Sequence, residues 1–114
     1  MIDIHKAADR LIETHDIART LAPISASVPD FDTDDAYRVL AEIQKRRCAQ
    51  GWQPVGRKLG FTNTTIWARY GVSAPLWAHV WAQTVHFARN NKDSLSLASF
   101  VQPRWSTVRL KYVV

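Results

Sequence analysis

Cysteine is almost absent from this sequence of 114 residues, and Cys48 is its only representative. A lone cysteine forms no internal disulfide, and no second cysteine or histidine stands near it at the spacing of a zinc site. No apolar run approaches the roughly 18 residues that indicate a membrane-spanning helix. The first residues also lack the apolar core of a secretory signal. These absences predict a cytoplasmic protein without a disulfide framework and without a membrane segment.

Acidic residues are also scarce, but only in the second part of the chain. Residues 1–42 hold nine acids against four bases, whereas residues 43–114 hold eleven lysines and arginines against Asp93 alone. A hard cation such as Mg²⁺ binds through one or more carboxylates, so the latter part is poor material for a metal site. Its basic excess predicts either an anion-binding surface or a surface whose acidic partner lies elsewhere.

The first part of the chain has a hydrophobic pattern typical of amphipathic helices. Over residues 3–21 apolar side chains recur at spacings of three and four, which places them on one helix face. A second helix is predicted from a cap at Asp32 or Thr33 to a stop at Gly51. It has acids in its first turn and bases near its end, as the helix dipole favours. We expect its buried face to use Ala36, Tyr37, Leu40 and Ile43.

After Gly51 the pattern becomes that of a strand. Residues 54–61, bracketed by proline and glycine, predict a strand in which Lys58 lies between two glycines on one face. We expect those glycines to leave the main chain open to a ligand. Thr62 is placed to cap a short helical turn that ends at Gly71. Residues 76–88 fit a helix or a strand by spacing alone, whereas the alternation over residues 95–101 predicts a strand.

Two motifs carry a resemblance to a known family. The first is Gly56-Arg57-Lys58-Leu59-Gly60-Phe61-Thr62, continuing to Gly71-Val72 and Pro75, and the second is Phe100-Val101-Gln102-Pro103-Arg104. Together they resemble the early part of the 2-keto-4-pentenoate hydratase group, within the fumarylacetoacetate hydrolase superfamily. The resemblance implies an α+β fold in which N-terminal helices lead into the first strands of a fumarylacetoacetate hydrolase-type β fold, incomplete here. It also favours extended structure over residues 76–88.

The family reaction implied by the resemblance is that of a hydro-lyase. Water adds to a 2-oxo-4-enoate of the 2-hydroxypentadienoate type during the breakdown of aromatic compounds, with Mg²⁺ or Mn²⁺ held by a Glu-x-Glu pair. Aligned through Arg104, the positions of that pair are occupied by Ser106 and Val108. Neither side chain replaces a carboxylate, so we expect no metal on this chain and no activity from the chain alone.

Lys58 is the residue to which the resemblance assigns a catalytic role. The matching lysine of the family lies in the active site and holds the anionic 2-oxo acid, which makes a small 2-oxo acid the expected partner of this chain. A lysine flanked by small residues on a short strand presents a point charge to a carboxylate or an enolate, which supports the same role on physical grounds. Further substrate-binding residues are not assigned by the sequence.

The resemblance ends at Arg104. Residues 1–104 are predicted to be the N-terminal part of a hydratase-like domain. Residues 105–114 are predicted to be an unrelated tail, of the kind that a frameshift or a truncation leaves. The alternation in that tail from Val108 onward keeps a pairing strand as the alternative. If the rest of the fold normally covers apolar surface of this part, self-association to a homo-oligomer is expected.

A different class of function also fits part of the sequence. Residues 59–69 resemble the turn and recognition helix of a helix-turn-helix protein, and the bases of residues 45–69 are suited to phosphate contacts. The first helix of that motif would have to be built from Pro54, Val55 and Gly56, which disfavour helix. Nucleic acid is therefore not the expected partner. The four histidines, at positions 5, 15, 79 and 86, show no two-histidine spacing typical of zinc sites.

Overall fold

The computed structural model describes residues 1–96, which combine helices with one antiparallel hairpin. This composition confirms the predicted α+β class over the described range. The main elements in chain order are α1 (Ile4–Asp16), α2 (Thr33–Ala49), β1 (Pro54–Gly60), α3 (Trp67–Tyr70) and β2 (Leu76–Trp81), with 3₁₀ turns at Ile24–Ala26, Thr64–Ile66 and Ala82–Thr84. None of the helices within this range is long and apolar enough to cross a bilayer.

The chain divides into two compact units. One comprises residues 1–43 together with the stretch that begins at His86, and the other comprises residues 44–85. The strand predicted over residues 95–101 lies almost wholly outside the described residues, and its two described members, Leu95 and Ser96, are not in a strand. The second family motif, Ser106, Val108 and the tail from 105 to 114 lie outside the described residues as well.

Helix α1 begins at an aspartate cap and ends in a left-handed turn. The Asp3 carboxylate accepts a hydrogen bond of 3.0 Å from the Lys6 N–H, which satisfies a free donor of the first turn. The end predicted near Leu21 was wrong, because Ala18 adopts a φ of 50° just after Asp16. From this turn the N–H groups of Ala18 and Arg19 donate to the carbonyls of the last helical turn, at 3.2 and 3.0 Å. These two bonds form a Schellman-type closure, which stops the helix before the apolar pattern ends.

The left-handed turn makes Ala18→Gly a stabilising substitution. Alanine at positive φ brings its Cβ too close to the carbonyl oxygen, a strain of about 1–2 kcal/mol that glycine does not suffer. After the larger entropy loss of glycine, we expect a net gain of about 0.5–1 kcal/mol in the free energy of unfolding. Urea unfolding, monitored by circular dichroism, measures this gain in stability. Ala41→Gly, in the interior of α2, should instead lose about 1 kcal/mol. Equal effects of the two changes on stability would contradict the left-handed conformation of Ala18.

Helix α2 contributes the centre of the small core in residues 1–43. Its cap is Asp32, one of the two residues predicted for this position, since the Asp35 N–H donates to the Asp32 carboxylate at 2.9 Å. The predicted buried face was partly wrong, because Ala36 is exposed and Val39 is the most buried residue of the helix, at 2% exposure. Sequence spacing identifies an apolar stripe but not which edge of it meets a neighbouring helix. The buried core residues are Ile2, Ala7, Ala8 and Val39.

A pair of side chains links α1 to α2 at the edge of that core. The His5 Nδ1 atom lies 3.1 Å from a carboxylate oxygen of Glu42. Around the core pack partly buried apolar residues from both helices and from the connection between them: Ile4, Leu11, Ile24, Val28, Phe31 and Ile43. Because alanines line α1 at positions 7 and 8, the neighbouring side chains can approach the helix closely.

In residues 44–85 the chain folds as a strand, a short helical turn and a second strand. Strand β1 ends one residue before the predicted Phe61, which turns to a φ of 54° and accepts the Trp67 indole N–H at 2.7 Å. The predicted cap at Thr62 was displaced by one residue, since Asn63 accepts the Thr65 N–H at 3.0 Å. Gly71, at a φ of 63°, stops the turn as predicted. The extended interpretation of residues 76–88 is confirmed for Leu76–Trp81 by β2 and was wrong for Ala82–Thr84, which form a 3₁₀ turn.

Candidate functional site

The register of the β1–β2 hairpin sorts its side chains onto two faces. Residues paired across an antiparallel sheet project from the same face. One face, here called the lysine face, carries the pairs Gly56 with Val80, Lys58 with Ala78, and Gly60 with Leu76. The opposite face carries the pairs Arg57 with His79 and Leu59 with Trp77. The alternation predicted from the sequence therefore places Lys58 and the two glycines together.

The lysine face is open around Lys58. A Cβ atom built on Gly56 would meet no heavy atom within 4 Å, and one built on Gly60 would approach only the carbonyl oxygen of Leu76, at 3.9 Å. Ala78, opposite Lys58, is exposed as well. The glycines therefore leave room beside the main chain, as the sequence predicted, and the packing of the hairpin does not require them at these positions.

The Lys58 ammonium has no carboxylate partner among residues 1–96. Its Nζ atom donates to the carbonyl oxygen of the adjacent Leu59, a contact with a neutral acceptor next to its own residue. Residues 44–85 contain six lysines and arginines and no aspartate or glutamate. An external anion would therefore meet a positive charge that no carboxylate of this unit neutralises.

The opposite face carries a row of aromatic rings with an arginine at each end. The Arg57 guanidinium carbon lies 4.0 Å from the centroid of the Trp77 ring, and Trp77 meets His79 edge to face at 5.2 Å. His79 is followed by Trp81 at 5.5 Å. We call this row, with its continuation to Trp52 and Arg47, the aromatic ladder. The continuation places Trp81 5.9 Å from Trp52 and the Arg47 guanidinium 4.3 Å above Trp52.

The sequence did not identify the aromatic ladder as a unit. The spacing of Trp77, His79 and Trp81 fits strand alternation, but spacing alone also fitted a helix over residues 76–88. Trp52 and Arg47 lie before β1, and no sequence pattern indicated that they contact the rings of β2. Arg47 is only 5% exposed and also donates to the Gln50 side chain at 3.1 Å. Stacking on Trp52 covers its guanidinium, which distinguishes Arg47 from an ordinary solvated charge at a helix end.

The protonation of His79 should make the stability of the hairpin depend on pH. Burial, and then the nearby Arg57 guanidinium, lower the pKa of His79 from its ordinary value of 6.5. The unfolded chain then binds this proton more readily than the folded chain, so stability rises with pH in this window. We expect the contribution of His79 to be complete above pH 6.5 and to decline as the pH falls through the lowered pKa.

An NMR titration of the His79 ring measures this effect directly. Arg57→Gln should move the pKa of His79 part of the way back toward 6.5, since burial, the larger cause, remains. Arg69→Gln is the matched control, because the Arg69 guanidinium lies over Tyr70 and not over the ladder. If both variants shifted the pKa equally, Arg57 would not be the neighbour responsible.

The described residues offer no donor set for a divalent metal. Within residues 1–96 no three His, Cys, Asp or Glu side chains lie close enough together to hold one. The hairpin contributes cations and a single histidine, the opposite of the oxygen ligands that Mg²⁺ prefers. The donors present in this part of the chain therefore do not fit the metal that the family resemblance implies.

The helix-turn-helix alternative fails on the geometry of the same segment. That motif needs a helix before the turn, whereas Pro54–Gly60 forms a strand paired with β2. The helix after the turn, Trp67–Tyr70, has only four residues. Within the described range, residues 54–70 therefore do not present a recognition helix on a helical support.

The sequence and the fold both match known enzymes. Over 101 residues the chain is 32% identical to the 2-keto-4-pentenoate hydratase of Paraburkholderia phymatum. Its fold superposes with a TM-score of 0.64, at 25% identity, on 4-oxalocrotonate decarboxylase from Pseudomonas putida G7, complexed with calcium and acetate. The chain is thus similar to the N-terminal portion of proteins named 2-keto-4-pentenoate hydratase. A 2-hydroxyhexa-2,4-dienoate hydratase of Comamonas testosteroni is 29% identical to it over 101 residues.

The relation to the hydratases covers most of this chain but a minor part of theirs. The matches span 89% of the chain, yet only 37% of the Paraburkholderia enzyme and 38% of the Comamonas enzyme. The structural match covers 68% of the chain and 30% of the decarboxylase, which has also been solved with magnesium and adipate. No protein-family model matches the chain. The chain thus spans well under half the length of these hydratases.

Proposed function

We propose that this chain is a hydratase-like protein whose lysine face binds the carboxylate of a small 2-oxo acid through Lys58. The reaction class is the addition of water to a 2-oxo-4-enoate in aromatic catabolism. The observation that carries the proposal is an ammonium without a carboxylate partner in residues 1–96, on an open strand face, in a chain similar to named 2-keto-4-pentenoate hydratases.

The chemistry of Lys58 suits this role at two stages. An ammonium beside a bound carboxylate fixes the end of the substrate by a charge-assisted hydrogen bond. The same positive charge would stabilise negative charge that develops on an adjacent enolate oxygen. Gly56 and Gly60 help because the substrate can lie against the main chain without meeting a side chain. The contact of Lys58 with the Leu59 carbonyl is one that an anionic ligand can displace at little cost.

We propose further that the chain alone binds the substrate and does not turn it over. The family chemistry needs a divalent ion, and residues 1–96 contain no donor set that fits one. Ser106 and Val108 stand where the resemblance places the metal-binding glutamates. These two facts are the reason to expect substrate binding without turnover. Binding and turnover are measured separately.

Binding is measured by an NMR titration with 2-oxopentanoate, a saturated 2-oxo acid that cannot be hydrated. Lys58→Ala should weaken the affinity about tenfold, the size expected when one hydrogen bond between charged groups is lost. Lys92→Ala removes another exposed lysine and should change nothing, because Lys92 lies outside the hairpin unit. Equal weakening by both variants would show nonspecific charge attraction and would reject Lys58 as the site.

Turnover is measured by the loss of ultraviolet absorbance of 2-hydroxypenta-2,4-dienoate when the chain and Mg²⁺ are added. We expect the rate of buffer alone. A metal-dependent rate that Lys58→Ala abolishes would contradict the proposed lack of turnover while supporting Lys58. A rate that persists in Lys58→Ala would place the chemistry on other residues.

A further inference from the structure

A cleft lies within residues 1–43. It is formed by the first half of α1 and the connection that follows the helix, and its volume is about 190 Å³. Its apolar lining includes Ile2, Ala7, Ile24 and Val28, members of the core cluster or packed against it. An enclosed cavity of about 150 Å³ lined by leucine, isoleucine and phenylalanine takes up benzene. This cleft has a comparable volume and is partly open to solvent. The cleft is therefore large enough for one aromatic ring and a short substituent.

Two cations stand at the edge of the cleft. Lys6 and Arg10 both line it, and they are four residues apart on α1, hence on the same helix face. Neither side chain forms an ion pair within residues 1–96. Like charges at this spacing destabilise a helix. An anion between them would remove that repulsion.

One carboxylate also lines the cleft, and its role in the fold is already set. Asp3 caps α1 by accepting the Lys6 N–H at 3.0 Å. Ser27, the remaining polar residue at the edge, donates its hydroxyl to the Ile24 carbonyl at 3.2 Å. Two side-chain cations thus face one carboxylate that serves as the helix cap, so the edge keeps a net positive charge. The N-terminal half of α1 adds the positive end of the helix dipole.

We propose that this cleft binds a small aromatic monocarboxylate. The ring would lie on the apolar lining, and the carboxylate would lie between the Lys6 ammonium and the Arg10 guanidinium. The site is separate from Lys58 and does not depend on the proposed function. It joins an apolar surface of the right size to two cations that have no ion-pair partner in the described part of the chain.

The test compares benzoate with its neutral isostere benzamide in NMR titrations of the intact chain. Benzoate at millimolar concentration should shift the amide signals of Ala7, Ile24 and Val28. Benzamide should bind about tenfold more weakly, because it lacks the charge that the two cations recognise. Acetate, which lacks the ring, should not produce these shifts. Equal affinity for benzoate and benzamide, or no shifts with benzoate, would overturn the proposal.

Substitutions at the edge of the cleft test where the carboxylate of benzoate binds. Arg10→Gln and Lys6→Gln should each weaken benzoate about tenfold, while Lys92→Gln leaves it unchanged. Because each change at the cleft removes a like-charge repulsion, the variants should fold as the parent does, which circular dichroism checks. Lys58→Ala should leave benzoate binding intact, so failure of the hairpin site and failure of this cleft are distinguishable. Unchanged binding in both cleft variants would reject the proposed position of the carboxylate.

Discussion

An aspartate in place of Ala8 is expected to unfold the helical core of residues 1–43. Ala8 has no exposed surface, and the residues that share its core are apolar. A carboxylate at this position would be buried without a partner, which costs about 3–5 kcal/mol in comparable cases. Small domains have little more stability than this to lose. Far-UV circular dichroism should show the loss of helix, and thermal unfolding should lose its cooperative transition.

Ala41→Asp is the matched control for that substitution. Ala41 is also in a helix interior, in α2, but is exposed. The two changes share the cost of aspartate in a helix, about 0.7 kcal/mol, and differ in burial. We therefore expect Ala41→Asp to stay folded with a slightly lower stability. If Ala8→Asp remained as stable as this control, the described core would be wrong.

The second large effect is expected from Trp77→Ala in the hairpin unit. The core in residues 1–43 contains every buried apolar side chain of the described range. Residues 44–85 must therefore rely on partly buried contacts, and Trp77 lies between Arg57 and His79 in the aromatic ladder. A two-stranded sheet alone is marginal in water. Removing the ring should cost about 2–3 kcal/mol and loosen the hairpin.

Hydrogen exchange of the β1 amides measures this loss, because it reports opening of the hairpin separately from the helices. Leu59→Ala is the control, since Leu59 pairs with Trp77 on the same face but is 53% exposed. It should cost less than about 1 kcal/mol. Should Leu59→Ala open the hairpin as much as Trp77→Ala, ordinary apolar burial rather than the ladder would hold the strands together.

Local signals in the sequence predicted the parts of the fold that depend on single residues. Asp32 was recognisable as one of two candidate caps and Gly71 as a stop, because each acts on backbone groups within one turn. Strand β1 followed from its bracketing residues, and its alternation placed Lys58 between the glycines. The open face around Lys58 was therefore predictable before the structure was known.

The parts that sequence reasoning missed depend on contacts between distant segments. Whether Ala36 or Val39 is buried depends on how α2 meets α1, which the spacing within α2 does not specify. The ladder depends on the strand register, and on a register shift between Pro54 and Gly56 at its start. Trp52 joins the row from outside both strands. Such cross-segment partners become visible only when the pairing is known.

The empty space beside Gly56 gives protein engineers a position for new chemistry. A side chain introduced there points to the same face as Lys58, and the Cβ atom has clear room. Within a strand, replacing glycine by a larger residue also reduces the entropy lost on folding. A small library at Gly56 would thus vary the wall of the proposed Lys58 site without disturbing the strand pairing. New side chains could be tested there by adding atoms to open space, with no existing contact removed.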